Sequence, residues 1–304
     1  MTDTSLFAAL RPRLFATAYR MLGTRADAED VVQDAWLRWH GSDQAEVRSP
    51  EAWLVTITTR LAIDRLRARL AEREHYVGWW LPEPIVELDE HTPESSAELA
   101  SEVSMALLWV LERLAPEERA AFLLRQVFEH DYADIAAMLD KSEAACRQMV
   151  SRAQQRVQQQ QPRFAVPRTA RAARQALLGR FMAAAEAGDR AAMKALLSDD
   201  VQLVADGGGK VNSYLRVLHG AGRVAGAFWS LEHKHPRQVS YRLARVNGEP
   251  GLLRYVDGAL ESAQSFLIDG DRIVAVFIVR NPDKLAGVPA VVDAGCHKPA
   301  APAV

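Results

Sequence analysis

The stretch Asp131–Val157, DYADIAAMLDKSEAACRQMVSRAQQRV, constrains the chain most tightly, because its apolar spacing folds as two short helices around a tight turn. Ile135, Met138 and Leu139 line the first helix, Asp140-Lys141 makes the turn, and Ser142 is placed to cap the second. That second helix buries Cys146, Val150, Ala153 and Val157, at spacings of four, three and four residues. Its opposite face carries Arg147, Gln148, Ser151, Arg152, Gln155 and Arg156, side chains that reach base edges and phosphates from a helix lying in a major groove. A lone pattern of this kind describes either a helix-turn-helix or a solvated amphipathic helix in an all-α domain. The flanking sequence has to decide.

Upstream, residues 5–70 read as helical throughout. Leu6, Phe7, Leu10, Leu14, Phe15, Ala18, Tyr19 and Leu22 form a stripe that stops at Gly23. Thr24-x-x-Asp27 resembles a capping box and opens a helix to about His40, with Val31, Val32, Ala35, Trp36 and Trp39 inside. After a polar loop, Ser49-Pro50-Glu51 restarts a helix to about Leu70, and the apolar spacing of Trp53 makes it core. Residues 77–100 then change character. They hold three prolines, and from Glu83 to Glu118 there are ten acids against one base, so this is a linker. Helical pattern resumes near Ser101, and Pro116-Glu117-Glu118 starts the helix preceding Asp131.

Beyond Pro162 the class changes. Two helices (about 168–187 and 190–197) precede a strand at Val201–Ala205, the loop Asp206-Gly-Gly-Gly-Lys210, and a helix expected over 212–230. Alternating runs follow, punctuated by Asn247-Gly248, Asp257-Gly258 and Asp269-Gly270. Helices first and an antiparallel meander after them predict an α+β domain, with helices on one face of a curved sheet.

Charge narrows the function classes. Residues 1–162 carry 18 Lys+Arg against 26 Asp+Glu, and residues 163–304 carry 19 against 13. An acidic body binds naked DNA poorly, which predicts a partner that supplies most of the DNA contacts. Two cysteines, Cys146 and Cys296, make no disulfide framework, and no Cys/His cluster has zinc spacing. No cofactor or metal is expected. The absence of a signal peptide and of a membrane-length apolar run predicts a cytoplasmic protein with no membrane partner.

Residues 15–70, FATAYRMLGTRADAEDVVQDAWLRW…SPEAWLVTITTRLAIDRLRARL, resemble region 2 of extracytoplasmic-function sigma factors, and residues 111–157 resemble their region 4. Both halves match in family order, with a linker between. The resemblance implies that Asp27, Glu29, Asp30, Gln33 and Asp34 face outward and dock on the β′ clamp helices of core RNA polymerase (β and β′ subunits). It implies that the loop Ser42–Ser49, with Arg48 and Ser49, captures a flipped −10 base, while Arg60, Asp64, Arg65 and Arg67 form a strip along a promoter strand. Ser142, Arg147, Gln148, Ser151, Arg152 and Arg156 would then face the −35 major groove, and the acidic linker would thread a polymerase channel.

The remainder resembles a SnoaL-like cone fold. Three motifs resemble the sigma subgroup that carries such a fusion: Trp80-Leu81-Pro82-Glu83-Pro84, Asp206-Gly207-Gly208-Gly209-Lys210, and Asn281-Pro282-Asp283-Lys284-Leu285. The implied organisation is multidomain: region 2 over 1–75, a linker over 76–100, region 4 over 101–161, a cone domain over 162–286 and a flexible tail over 287–304. The subgroup resemblance implies regulation in cis by the appended domain, without a separate anti-sigma protein. The bottom-up counterpart is that the triple glycine lets Asp206–Lys210 pack against the proline-kinked linker. A cone also suggests a small-molecule pocket, with Asp206, His219, His233, His235, Arg254 and Tyr255 as candidate polar groups. Nothing gives these catalytic spacing, so a non-enzyme is expected. Two alternatives stay open: a ligand-responsive helix-turn-helix regulator with no polymerase role, and a SnoaL-like enzyme fused to a DNA-binding module.

Overall fold

The computed structural model describes residues 3–73, 75–88, 103–160, 170–233 and 239–289. The linker residues 89–102, the break at Pro162, His235, Cys296 and the tail from Ala290 onward lie outside the described residues, as does the side chain of His233.

Three helices open the chain: α1 (Asp3–Leu22), α2 (Arg25–His40) and α3 (Pro50–Arg73). Gly23 takes a left-handed φ of 72° between the first two, as a C-terminal stop requires. Thr24 occupies the N-cap of α2 but makes no capping bond to the backbone; its hydroxyl turns instead to the Asp27 carboxylate. Ser49 caps α3 through the Ala52 amide. Residues 75–88 run extended along the α1–α2 corner and end in a short strand, β1 (Val86–Glu87). Four helices follow: α4 (Met105–Leu111), α5 (Pro116–Gln126), α6 (Tyr132–Leu139) and α7 (Glu143–Gln160). Asp131 caps α6, Asp140 closes it in the left-handed region at φ 53°, and Ser142 accepts from the Ala145 amide at the start of α7. These caps are the physical basis of the helix-turn-helix.

The last unit comprises α8 (Arg171–Glu186), α9 (Arg190–Ala195), β2 (Leu197–Asp206), β3 (Leu218–His219), α10 (Ala221–His233), β4 (Val239–Val246), β5 (Glu249–Val256), β6 (Ala259–Asp269), β7 (Arg272–Val279) and α11 (Pro282–Leu285). Its sheet runs β1-β4-β5-β6-β7-β2-β3. The expected antiparallel meander is β4-β5-β6-β7, and β2 extends it by pairing parallel to β7. Two expectations are corrected. The helix expected over 212–230 begins only at Ala221: Leu218 pairs with Leu203 in the sheet, and Gly220 at φ 93° breaks helical geometry despite the helix-like spacing of Val211, Tyr214 and Leu215. And β1 comes from the linker, pairing Val86 with Val246 and Glu87 with Arg245.

The alternation along the strands divides the sheet into two faces. Leu203, Ala205, Leu252, Phe266, Val276 and Ile278 pack under α8–α10 with Phe181 and Phe228. Val204, Leu253, Ala263, Ala275, Phe277 and Val279 belong instead to the cluster that holds α1–α7 and Leu81. Trp109 of α4 lies 5.6 Å from the Phe277 ring and 6.4 Å from Trp79 of the linker. The third unit therefore shares a core with the first two, through a sheet face that an antiparallel sheet of this kind would otherwise leave to water.

Candidate promoter-binding and interdomain sites

The three singled-out interdomain motifs converge on one buried carboxylate. Asp206, wholly buried at the end of β2, accepts from the Tyr76 hydroxyl at 2.5 Å, the Leu81 amide at 2.9 Å, the Gly208 amide at 3.0 Å and the Lys284 ammonium at 2.7 Å. Lys284 also donates to the Leu81 carbonyl and sits 3.3 Å from the centroid of the Trp80 ring. Burial first, and then the adjacent carboxylate, pushes the Tyr76 phenol up, so it stays a donor at all ordinary pH. Asn281 caps α11 through the Asp283 amide and donates to Tyr76. Lys210 pairs with Asp283 at 2.5 Å on the outside. The glycines are required by space: a Cβ on Gly208 would run into the Asn281 amide, one on Gly207 would lie 2.6 Å from the Val211 carbonyl, and one on Gly209 would lie 3.0 Å from Val77. Pro282 begins α11 and Leu285 is buried at its end.

The linker is held equally on its other side. The Glu83 amide donates to the Gly23 carbonyl, its carbonyl accepts from the Tyr19 hydroxyl at 2.7 Å, and its carboxylate accepts from the Arg25 amide at 2.9 Å. Asn247 bridges the two bodies, donating to the Tyr19 hydroxyl and accepting from the Ile85 amide. Pro82 packs beside Gly23, and Pro84 is buried. Residues 76–88 of the linker are thus fixed on both sides. The sequence did not reveal these roles: Tyr19 read only as part of the apolar stripe of the first helix, Asn247-Gly248 only as a hairpin turn, and Tyr76 carried no pattern.

On the first three helices, a groove of about 420 Å3 between α2 and α3 is lined by Asp30, Val31, Gln33, Asp34, Leu37, Leu61, Asp64 and Arg65. Glu29 is exposed beside it, paired with Arg25. Asp27 does not face outward. It is 2% exposed and binds Arg65 at 3.0 Å and Arg69 at 2.6 Å, because the first turn of α2 faces α3 rather than solvent. Arg65, expected on a promoter-strand strip, accordingly turns to Asp27 and Asp30 on α2. A second groove of about 580 Å3 is lined by Ser42, Asp43, Arg48, Ser49, Trp53, Thr56 and Arg60 among others. Trp53, expected as core, is half-buried against Trp39 and lines this groove.

The two candidate DNA-reading bodies touch. Arg60 donates to the carbonyls of Met138 at 2.8 Å and Ala137 at 3.1 Å, at the end of α6. Arg67 pairs with Asp64 and, at 2.5 Å, with Glu117 of α5. Arg119, 1% exposed, donates to the Arg20 carbonyl and to Glu112. On α7, Ser142, Arg147, Gln148, Ser151, Arg152 and Arg156 are all exposed on one side, as expected. Arg147 pairs with Glu143 and lies over the Tyr132 ring, while Arg152 at 3.0 Å and Arg156 both bind the buried carboxylate of Glu118, a partner the sequence did not reveal.

The chain matches the family models for sigma-70 region 2 over residues 6–71 and sigma-70 region 4 over residues 104–157. It is 38% identical over 297 residues to the ECF RNA polymerase sigma factor SigJ of Mycobacterium tuberculosis, covering 94% of both chains. The chain belongs to the extracytoplasmic-function (ECF) sigma factor family. A second relative, the probable ECF sigma factor SigI of the same species, is 29% identical over 91% of this chain and 92% of its own. The fold agrees with the crystal structure of M. tuberculosis SigJ at a TM-score of 0.74 and 35% identity, over 95% of this chain and all of that one. The protein is thus an alternative sigma factor that directs transcription initiation, with a sheet-rich unit fused behind region 4. Among the described residues no helix is long and apolar enough to cross a membrane. Among the described polar groups suggested for a pocket in that fused unit, Asp206 faces the linker, His219 is exposed at the sheet edge, and Arg254 pairs with Glu261.

Proposed function

We propose that this sigma factor binds core polymerase through the α2–α3 groove, takes the −10 strand at the Ser42–Arg60 groove and reads the −35 duplex with α7. Its appended unit governs how far the two DNA-reading bodies separate. Elements centred about 25 base pairs apart lie roughly 85 Å apart on straight B-DNA at ~3.4 Å per pair. Region 2 and region 4 in contact through Arg60 and Arg67 cannot span that distance, so promoter engagement requires them to part. The observation that carries the regulatory reading is the buried Asp206–Lys284 pair gripping Leu81, because it joins the appended unit to the segment that must extend when they part.

The acidic, amide-bearing rim of Asp30, Gln33 and Asp34 suits a basic partner helix. Arg147 and Gln148, at the N-terminal end of α7, are placed for base edges, and Arg152 and Arg156 for phosphates. The test is promoter-specific transcription by purified core enzyme with the full chain or its Lys284→Met variant, alongside separately measured core affinity. Changed promoter output at unchanged core affinity supports cis regulation; identical output refutes it. A point variant is preferable to truncation near residue 165, which would strip the sheet from Trp109 and Leu81.

A further inference from the structure

Buried ion pairs are weak evidence for stability, since well-packed apolar side chains serve as well. The charged trio between α2 and α3 therefore raises the question of what its charge does. Asp27 sits in the first turn of α2, where the helix dipole favours a carboxylate. Its Oδ2 holds Arg69 at 2.6 Å and meets the Thr24 hydroxyl, and its Oδ1 holds Arg65 Nε at 3.0 Å. Arg65 is further pinned to Asp30 at 3.3 Å. Arg65 is also the cation among the residues lining the α2–α3 groove, whose rim is otherwise Asp30, Asp34 and Asp64 around the 59%-exposed Leu37. Without the Asp27 charge that face would be one unit more positive, which would repel a basic partner, and Arg65, which also holds Asp30, would lose one of its anchors.

We propose that Asp27 is a positioning residue for core binding: from beneath the groove it neutralises Arg65 and fixes it, so that the docking face stays acidic and pre-ordered. The proposal rests on the reading of that groove as the core-docking face. It separates Asp27 from the exposed acids around it, which would touch the partner directly.

The experiment titrates full-length chain against purified core polymerase at two salt concentrations, comparing Asp27→Asn, Arg65→Gln, the double variant and Asp34→Asn. At an effective dielectric of ~20, an uncompensated charge about 10 Å from a cationic side chain shifts affinity by roughly tenfold, and that is the loss expected for Asp27→Asn at low salt. Raising the salt should shrink it. Adding Arg65→Gln to Asp27→Asn should restore most of the loss, since the repelling charge is gone, with Arg65→Gln alone as the reference for what losing the hold on Asp30 costs. A double variant as weak as Asp27→Asn would overturn the proposal, because a purely structural role predicts no rescue. Asp34→Asn that binds core as well as the parent would instead overturn the docking reading itself.

Discussion

Replacing Asp206 by asparagine tests the linker clamp at its centre. The substitution keeps the shape but removes the charge that faces Lys284, whose side chain is only 6% exposed, and puts an amide N–H₂ where four donors now converge. Removing one partner of a buried pair costs about 3–5 kcal/mol, here charged chiefly against the docking of residues 76–88 rather than against the helices of region 2. At 1.4 kcal/mol per decade, undocked linker should become more populated by about a hundredfold to a few thousandfold. Hydrogen exchange of the full chain reads this directly at the Leu81 amide, which is protected only while it donates to Asp206. Exchange of peptides over 76–88 should accelerate by that factor while α1 stays protected. Lys284→Met should act similarly, and the double variant should cost less than the sum, because each charge is then spared an unpaired partner. Acceleration at Leu81 of less than about tenfold, or an equal acceleration in α1, would refute the reasoning.

Gly208→Ala should lower the unfolding temperature by several degrees, at a cost of about 1–3 kcal/mol, because its φ of 61° is joined by a clash with Asn281; Gly258→Ala, at φ 81° with no atom within 4 Å, should cost less. Glu118→Gln should release Arg152 and Arg156 toward phosphates, raising affinity for −35 duplex severalfold at low salt and steepening its salt dependence; an unchanged salt slope would show that these arginines do not reach DNA. Burial, and then Arg13, hold the His130 imidazole below its ordinary range at the region 2–region 4 contact. A depressed histidine contributes stability above its ordinary pKa that is lost as pH falls through the folded value, so the closed contact should loosen between about pH 7 and pH 5 and lose that dependence in His130→Asn.

Local signals in the sequence were strong where the chain speaks to itself. Gly23, Ser49 and Ser142 announced the ends of α1, α3 and α7 because caps act over three or four residues. Residues that act across the fold were harder. Asp27 looks like its exposed neighbours Glu29 and Asp30, and only the packing angle of α2 on α3 buries it. The same holds for Arg60 and Arg152, whose partners Met138 and Glu118 lie 78 and 34 residues away. Val86–Glu87 could not be read as a strand, since two residues carry no alternation and their pairing depends on the edge of β4. The 212–220 segment misled because Val211, Tyr214, Leu215 and Leu218 mimic a helical stripe while Gly220 forbids it.

The account turns on whether the DNA-reading bodies part when promoter is engaged. Fluorophores at exposed Arg38 of α2 and exposed Gln126 of α5, away from the DNA-reading face of α7, each replaced by cysteine with Cys296 changed to serine, report that separation by energy transfer in the full chain. Transfer should be efficient in the free protein and fall away in the complex with core polymerase and promoter, as the −10 and −35 readers move toward a separation of roughly 85 Å. Efficient transfer that persists unchanged in a transcription-competent complex would contradict it.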